Sequence, residues 1–249
     1  MNESMKTLLF KIKANIKPLP IDIHIQPIFN LATNQIEGGE ILARGYTQDS
    51  IIQFKNIIEH LGHSDIMLNI GSHVINLFCS FFQHDKMNKL RFNINVSHVQ
   101  LQHKKFPEII ENTLMHYHIE PKILMLEISC DELTLDDIAI QNIERLKIFG
   151  ISIAWDNISS EKQLQSLHSF FKPHAIKLKP GKIDEKKINE INKIIDFAEN
   201  NKIEVIAEQL ETMRQTSVFL RRNVMKGQGY IFSRAIDLTE FKKRYINIQ

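Results

Sequence analysis

Short apolar runs of β type recur along the 249-residue chain, and each leads into a polar side chain. Gln35-Ile36-Glu37-Gly38-Gly39 leads into Glu40, the run from Leu90 to Ile94 into Asn95, and that from Ile123 to Leu126 into Glu127. Further on, the run from Ile151 to Trp155 leads into Asp156, Ala175-Ile176 into Lys177, and the run from Ile203 to Ala207 into Glu208. Between these runs, apolar residues return at helical spacing over 51–61, 66–82, 106–116, 136–149, 161–171, 185–200 and 212–222. Strands alternating with helices of about 10–15 residues predict βαβ units and a parallel sheet. At the start, a strand over 21–28, a turn at Thr33-Asn34 and a second strand into Glu40 predict a hairpin, so the first two strands run antiparallel. The pattern predicts an α/β fold over 21–249, whose parallel strands could close into one barrel. Residues 1–20 read as an N-terminal extension, a short amphipathic helix ended by Pro18 and Pro20 that packs over one end of the core.

Composition adjusts this picture little. Hydrophobic residues make up 43% of the chain and charged residues 24%, enough for a core and a solvated surface. A net charge of +2 is too balanced for direct nucleic-acid binding. Cys79 and Cys130 form no CxxC pair, which argues against zinc or a disulfide framework and makes a reducing cytoplasm the simplest compartment. The apolar runs read as shorter than the ~20 residues needed to cross a bilayer, and the stretch from Met1 to Lys13 lacks the form of a signal peptide. Only nine glycines are present, with no Gly-rich phosphate loop.

The strand ends carry the candidate chemistry. In a barrel they converge on one rim, where such folds keep their sites. Hard oxygen donors at Glu40, Asn95, Glu127, Asp156 and Glu208 suit Mg²⁺ or Mn²⁺, and several carboxylates around such ions suit phosphodiester hydrolysis. Lys177 would hold a nucleophile or phosphate, and Arg44 would pair with a phosphate oxygen. Singly, each has a structural explanation: a carboxylate as a cap, Asn95 in a turn, Lys177 in an alternating edge strand. Their joint recurrence favours a site. His116-Tyr117-His118 offers two imidazoles without a third ligand, and Ser159-Ser160 with His168 lacks a nucleophile elbow.

The same residues resemble the EAL-domain family of bacterial cyclic di-GMP phosphodiesterases, over nearly the whole chain from Ile21. Gln26-Pro27-Ile28 resembles the opening strand motif, and Glu40-Ile41-Leu42-Ala43-Arg44 the Glu-Ala-Leu-Leu-Arg signature. Asn95-Val96-Ser97, Glu127-Ile128-Ser129, the run from Ala207 to Thr212 and that from Gln228 to Arg234 resemble later motifs in order. The resemblance implies a modified TIM (β/α)8 barrel with one antiparallel strand, and metal ligands at Glu40, Asn95, Glu127 and Asp156, with Asn157 a weak fifth. It implies catalytic roles for Glu208, Lys177 and Glu40, and substrate contacts from Arg44, Gln228, Leu42 and Glu211. Departures cluster at one loop. The family's paired Asp-Asp-Phe-Gly-Thr-Gly reads Asp156-Asn157-Ile158-Ser159-Ser160-Glu161, its loop-anchoring Glu is Cys130, the Asp of Lys-Ile-Asp is Lys179, and the Gly of Ala-Glu-Gly is Gln209. Asn157 is a neutral ligand, so Mg²⁺ or Mn²⁺ affinity is expected to fall, with hydrolysis of cyclic di-GMP to pGpG weak or lost. Two other outcomes follow from such a loop: a regulator that binds a protein partner on the barrel scaffold, or a cyclic di-GMP sensor. Family members pair through this loop region, so the changes bear on a homodimer too.

Overall fold

The computed structural model describes residues 3–47, 50–58, 60–61, 64–85, 87, 89–131 and 135–247. The chain begins with α1 (Glu3–Lys13), the hairpin β1 (Ile21–Asn30) and β2 (Ile36–Tyr46), and the short β3 (Ile51–Gln53) and α2 (Lys55–Ile58). Next come α3 (Ser64–Phe82), β4 (Arg91–Val96), α4 (His98–Leu101), α5 (Phe106–His116), β5 (Leu124–Ser129) and α6 (Asp137–Phe149). The second half runs β6 (Ser152–Asp156), α7 (Glu161–His168), β7 (Ala175–Leu178), α8 (Glu185–Asn200), β8 (Glu204–Ala207) and α9 (Met213–Leu220). Two-residue strands β9 (Lys226–Gly227) and β10 (Ile236–Asp237) and helix α10 (Leu238–Tyr245) end it.

Eight strands close into a barrel in the order β1-β2-β4-β5-β6-β7-β8-β9, with β3 and β10 paired outside the ring. β1 runs antiparallel to both its barrel neighbours, β2 and β9, and the remaining barrel pairs are parallel. The predicted hairpin and the single reversed strand are therefore present. Its turn is closed by Asn30, whose Oδ1 accepts from the Ala32 and Thr33 amides, with Asn34 at φ +57°. Gly38 is obligatory in β2: its φ is +150°, and a Cβ there would lie 1.7 Å from the Arg91 carbonyl oxygen.

Strand-to-helix turns are closed by side chains. Ser97, Asp136, Ser160, Asp184, Thr212 and Asp237 each accept from the amide three residues on, satisfying donors that a helix start leaves open. The helices bury one face against the outside of the barrel. α1 adds to this layer through buried Leu8, Leu9 and Ile12, with Leu8 against Gly45, so the extension is part of the packed body.

Two expectations need correction. Residues 51–61 are not one helix: Ile51–Gln53 pair with Tyr46, Gly45 and Arg44 of β2, whose exposed edge outcompetes the helical spacing. An apolar run does approach spanning length, since Asp65–Phe82 in α3 averages a hydropathy of 1.2 over 18 residues. Half of that window is buried, and Phe78 and Phe82 pack on Phe92 of β4, as a core helix does.

Candidate functional site at the barrel mouth

Period-two alternation along the strands builds the barrel interior in layers. At the N-terminal mouth, Glu204 Oε2 and Oε1 accept from Arg91 Nη1 (3.2 Å) and Lys226 Nζ (2.7 Å). Above it lies an apolar plug of Ile28, Met125, Ala154, Ala175 and Ile206. Two residues further along the same strands stand Gln26, Glu127, Asp156, Lys177 and Glu208. The plug seals the barrel, so the charged layer above it faces only the C-terminal mouth. That mouth opens into a cavity of about 830 Å³ whose wall includes Glu40, Leu42, Arg44, Asn95, Asp156, Lys179, Glu208, Glu211 and Gln228.

Lys177 is the hub. Its ammonium, with 1% of the side chain exposed, reaches Glu40 at 2.8 Å, Glu127 at 2.9 Å and Glu208 at 3.2 Å. The surrounding amides complete the set. Asn95 donates to Glu40 Oε1 (2.8 Å), Gln228 to Glu40 Oε2 (2.5 Å), and Asn93 to Glu127 Oε1 (2.7 Å). Burial alone would push the Lys177 pKa down, but Glu127, Glu40 and Glu208 raise it well above the usual value. Burial likewise pushes Glu40 up, and the Lys177 charge with three hydrogen bonds carries it below normal. Glu127 goes the other way, to about 8, through burial and then the Glu40 charge. Burial also leaves Glu208 raised, against the pull of Lys177.

The structure brings Glu40, Asn95, Glu127, Asp156, Lys177, Glu208 and Gln228 to one mouth. The depth differs from expectation for some. Glu40 lies mid-strand, because β2 continues to Tyr46 and carries β3. Lys177 is within β7, and its strand is central and buried rather than an edge. Arg44 is half-buried on the wall, its Nη1 on the Ala43 carbonyl (3.0 Å), and burial lowers its pKa. Arg234, which also lines the cavity, stacks on Tyr230 with its guanidinium carbon 4.3 Å from the ring centroid.

Asn157 has its side chain held by three hydrogen bonds. Its amide nitrogen donates to Asp131 Oδ2 (2.7 Å) and Ser129 Oγ (3.0 Å), and its Oδ1 accepts from Lys179 Nζ. It adopts φ +60°, and Gln209, after Glu208, adopts φ +54°. Each acid at these two strand ends is thus followed by a left-handed residue, which turns the chain outward directly above the site. The loop is rebuilt around Gln163, whose Oε1 accepts from the Ser159 amide (2.8 Å) and whose Nε2 donates to the Cys130 carbonyl (3.0 Å). Asn93 and Lys179 were not singled out as site residues in the sequence. Their signal is parity: Asn93 is two before Asn95 and Lys179 two after Lys177, so both share the inward face.

A closed α/β barrel with one reversed strand and a lysine-centred acidic pocket at its C-terminal mouth belongs to the class of TIM-type barrels, which keep their sites at that end. The chain is a member of the EAL domain family, whose model matches residues 20–235. It is 27% identical to the signaling protein YkoW of Bacillus subtilis over 89% of this chain and 29% of that protein. It is 25% identical to the "Probable cyclic di-GMP phosphodiesterase PdeB" of Escherichia coli over 93% of this chain and 46% of that one. The chain therefore spans less than half the length of these relatives. The EAL enzyme Bd1971, solved with cAMP and cyclic di-GMP bound, superposes with a TM-score of 0.86 at 25% identity, covering 96% of this chain and 68% of that one.

Proposed function

We propose that this domain binds cyclic di-GMP in the barrel-mouth cavity and hydrolyses it to pGpG slowly or not at all. The observation that carries the reading is the contrast between an inner set still assembled on Lys177 and an outer carbonyl, that of Asn157, already spent on Lys179. The cavity suits a dinucleotide in size, and the guanidiniums of Arg44 and Arg234 at its mouth suit phosphates. Gln228 is buried, and its Oε1 takes no hydrogen bond among the described residues, leaving an acceptor for a nucleobase N–H.

The donor set fits an oxygen-preferring ion. Glu40, Asn95, Glu127 and Asp156 would hold Mg²⁺ or Mn²⁺, and Asn95, which donates to Glu40 through its nitrogen, keeps its carbonyl oxygen for the purpose. Among the described residues no cluster of three or more His, Cys, Asp or Glu is preassembled for an ion, because Glu40 and Glu127 turn toward Lys177. A bound ion supplies Lewis acidity and lowers the pKa of a water. Glu208, raised by burial, is the residue to take a proton, and Lys177 steadies the charge that develops. A cyclic dinucleotide ligand accords with a bacterial cytoplasmic setting.

The test incubates purified protein with cyclic di-GMP and Mn²⁺ or Mg²⁺ and follows pGpG by chromatography, with calorimetry in EDTA beside it. Heat of binding with little or no product supports the reading. Robust turnover refutes the slow-hydrolysis half, and no heat with or without metal refutes the binding half.

A further inference from the structure

We propose that Lys179 is a built-in cation standing where a second divalent ion would sit, so that this pocket takes at most one metal ion. The inference deepens the reading of the mouth as a metal-assisted nucleotide site, and three observations carry it. First, Lys179 lies on the inward parity of β7, two residues beyond Lys177, and its ammonium donates to Asn157 Oδ1 and stands 3.4 Å from Glu208 Oε1, an ion pair without a hydrogen bond. Those are oxygens from two strand ends flanking Lys177, and a divalent ion in that half of the pocket would need them. Second, both oxygens are held in place. Asn157 cannot turn its oxygen elsewhere without giving up Asp131 and Ser129, and Glu208 is held from its other side by Lys177 at 3.2 Å. Third, two ammoniums, Lys177 and Lys179, already face the carboxylates of Glu40, Glu127 and Glu208, so a second divalent ion would have to compete with a fixed positive charge in a partly buried setting.

The other half of the pocket keeps its donors. Asp156 has one carboxylate oxygen on the Asn157 amide, and among the described residues the other takes no hydrogen bond. Asn95 and Glu40 line the same cavity from β4 and β2. One ion therefore has a place between β2, β4 and β6, and the ammonium of Lys179 covers the β6–β7–β8 side.

The test counts ions on the purified protein without nucleotide, by Mn²⁺ electron paramagnetic resonance and by calorimetry. Wild type should bind no more than one Mn²⁺ per chain. The double substitution Asn157→Asp with Lys179→Asp should bind one ion per chain more than wild type. Equal counts in the two proteins, or two ions on wild type, overturn the proposal. Circular dichroism checks that the double variant folds. If it does not, Lys179→Met supplies the answer: Mn²⁺ affinity should rise at least tenfold once the competing ammonium is gone, and an unchanged affinity overturns the proposal. Because no cyclic dinucleotide enters these measurements, their failure is distinct from a failure of the ligand assignment above.

Discussion

The substitution Glu127→Gln should flatten the pH dependence of stability in metal-free protein. Glu127 is enclosed at the barrel centre, and burial together with the Glu40 charge lifts its carboxyl from 4.5 to about 8. The folded protein thus keeps a proton on Glu127 at pH values where the unfolded chain has lost it. A raised folded-state pKa contributes stability that is fully present below the unfolded value and lost as pH rises through the folded one. The slope over that window is about 1.4 kcal/mol per pH unit for one group, or about 2.7 kcal/mol between roughly pH 5.5 and pH 7.5. Glutamine is neutral throughout and keeps an oxygen for Asn93 and Lys177, so this fall should be missing from the variant. Lys177 with its raised pKa and Glu40 with its lowered one stay charged across the window in both proteins.

The assay is urea unfolding in EDTA at several pH values from about 5.5 to about 8.5, read through the single tryptophan. Trp155 is fully buried on β6 and stacks near Phe171, with ring centroids 4.6 Å apart, so its emission reports the barrel itself. Linear extrapolation gives each stability, with the slope m as a check on two-state behaviour. Wild type should lose stability relative to the variant as pH rises to about 8 and run parallel above it. A difference that stays constant within about 0.5 kcal/mol from acid to neutral pH would refute the argument that Glu127 carries a proton in the metal-free fold.

Three further outcomes follow from the same geometry. Lys177→Met removes the cation shared by Glu40, Glu127 and Glu208, and breaking such a buried set should cost about 3–5 kcal/mol, lowering the melting temperature by roughly 10 °C in a chain of this size. Gln209→Gly relieves a left-handed residue at φ +54° and should stabilise by about 1 kcal/mol in the same urea assay. Gly229→Ala should destabilise by about 1–3 kcal/mol and weaken cyclic di-GMP binding in calorimetry, since its Cβ would lie 2.0 Å from the Leu210 carbonyl oxygen beside the cavity.

Most of the barrel was legible because its two periodicities are clean. Helices over 106–116 and 185–200 follow their apolar spacing to the residue at both ends, and Ser152–Asp156 is a buried run that ends where its acid begins. The losses have physical causes. Ile51–Gln53 reads as helical from its own letters, and only the free edge of β2, distant in pattern though near in sequence, makes it a strand. The barrel is closed by the two residues of β9, too few to carry any periodicity. Lys177 in Ile-Lys-Leu-Lys looks like a solvated edge, because nothing local records that three carboxylates from β2, β5 and the end of β8 await it inside.

The rewritten loop shows where reading by resemblance needs the physics beside it. Lost glycines and a lost anchoring acid suggest a loop without support, yet each function has been taken up by another residue. Asn157 supplies the left-handed turn, a conformation asparagine reaches more readily than other non-glycine residues. Gln163, one turn into α7, ties the Ser159 amide to the Cys130 carbonyl and so replaces the anchor from the opposite side of the loop. Ser160 caps α7 through the Gln163 amide at 3.2 Å. What has not been replaced is anionic charge: the loop's second position is now an amide, and the lysine bonded to it adds a positive charge. On the proposed reading, the loop keeps its supports while its second position offers a carbonyl oxygen to Lys179 in place of a carboxylate to a divalent ion.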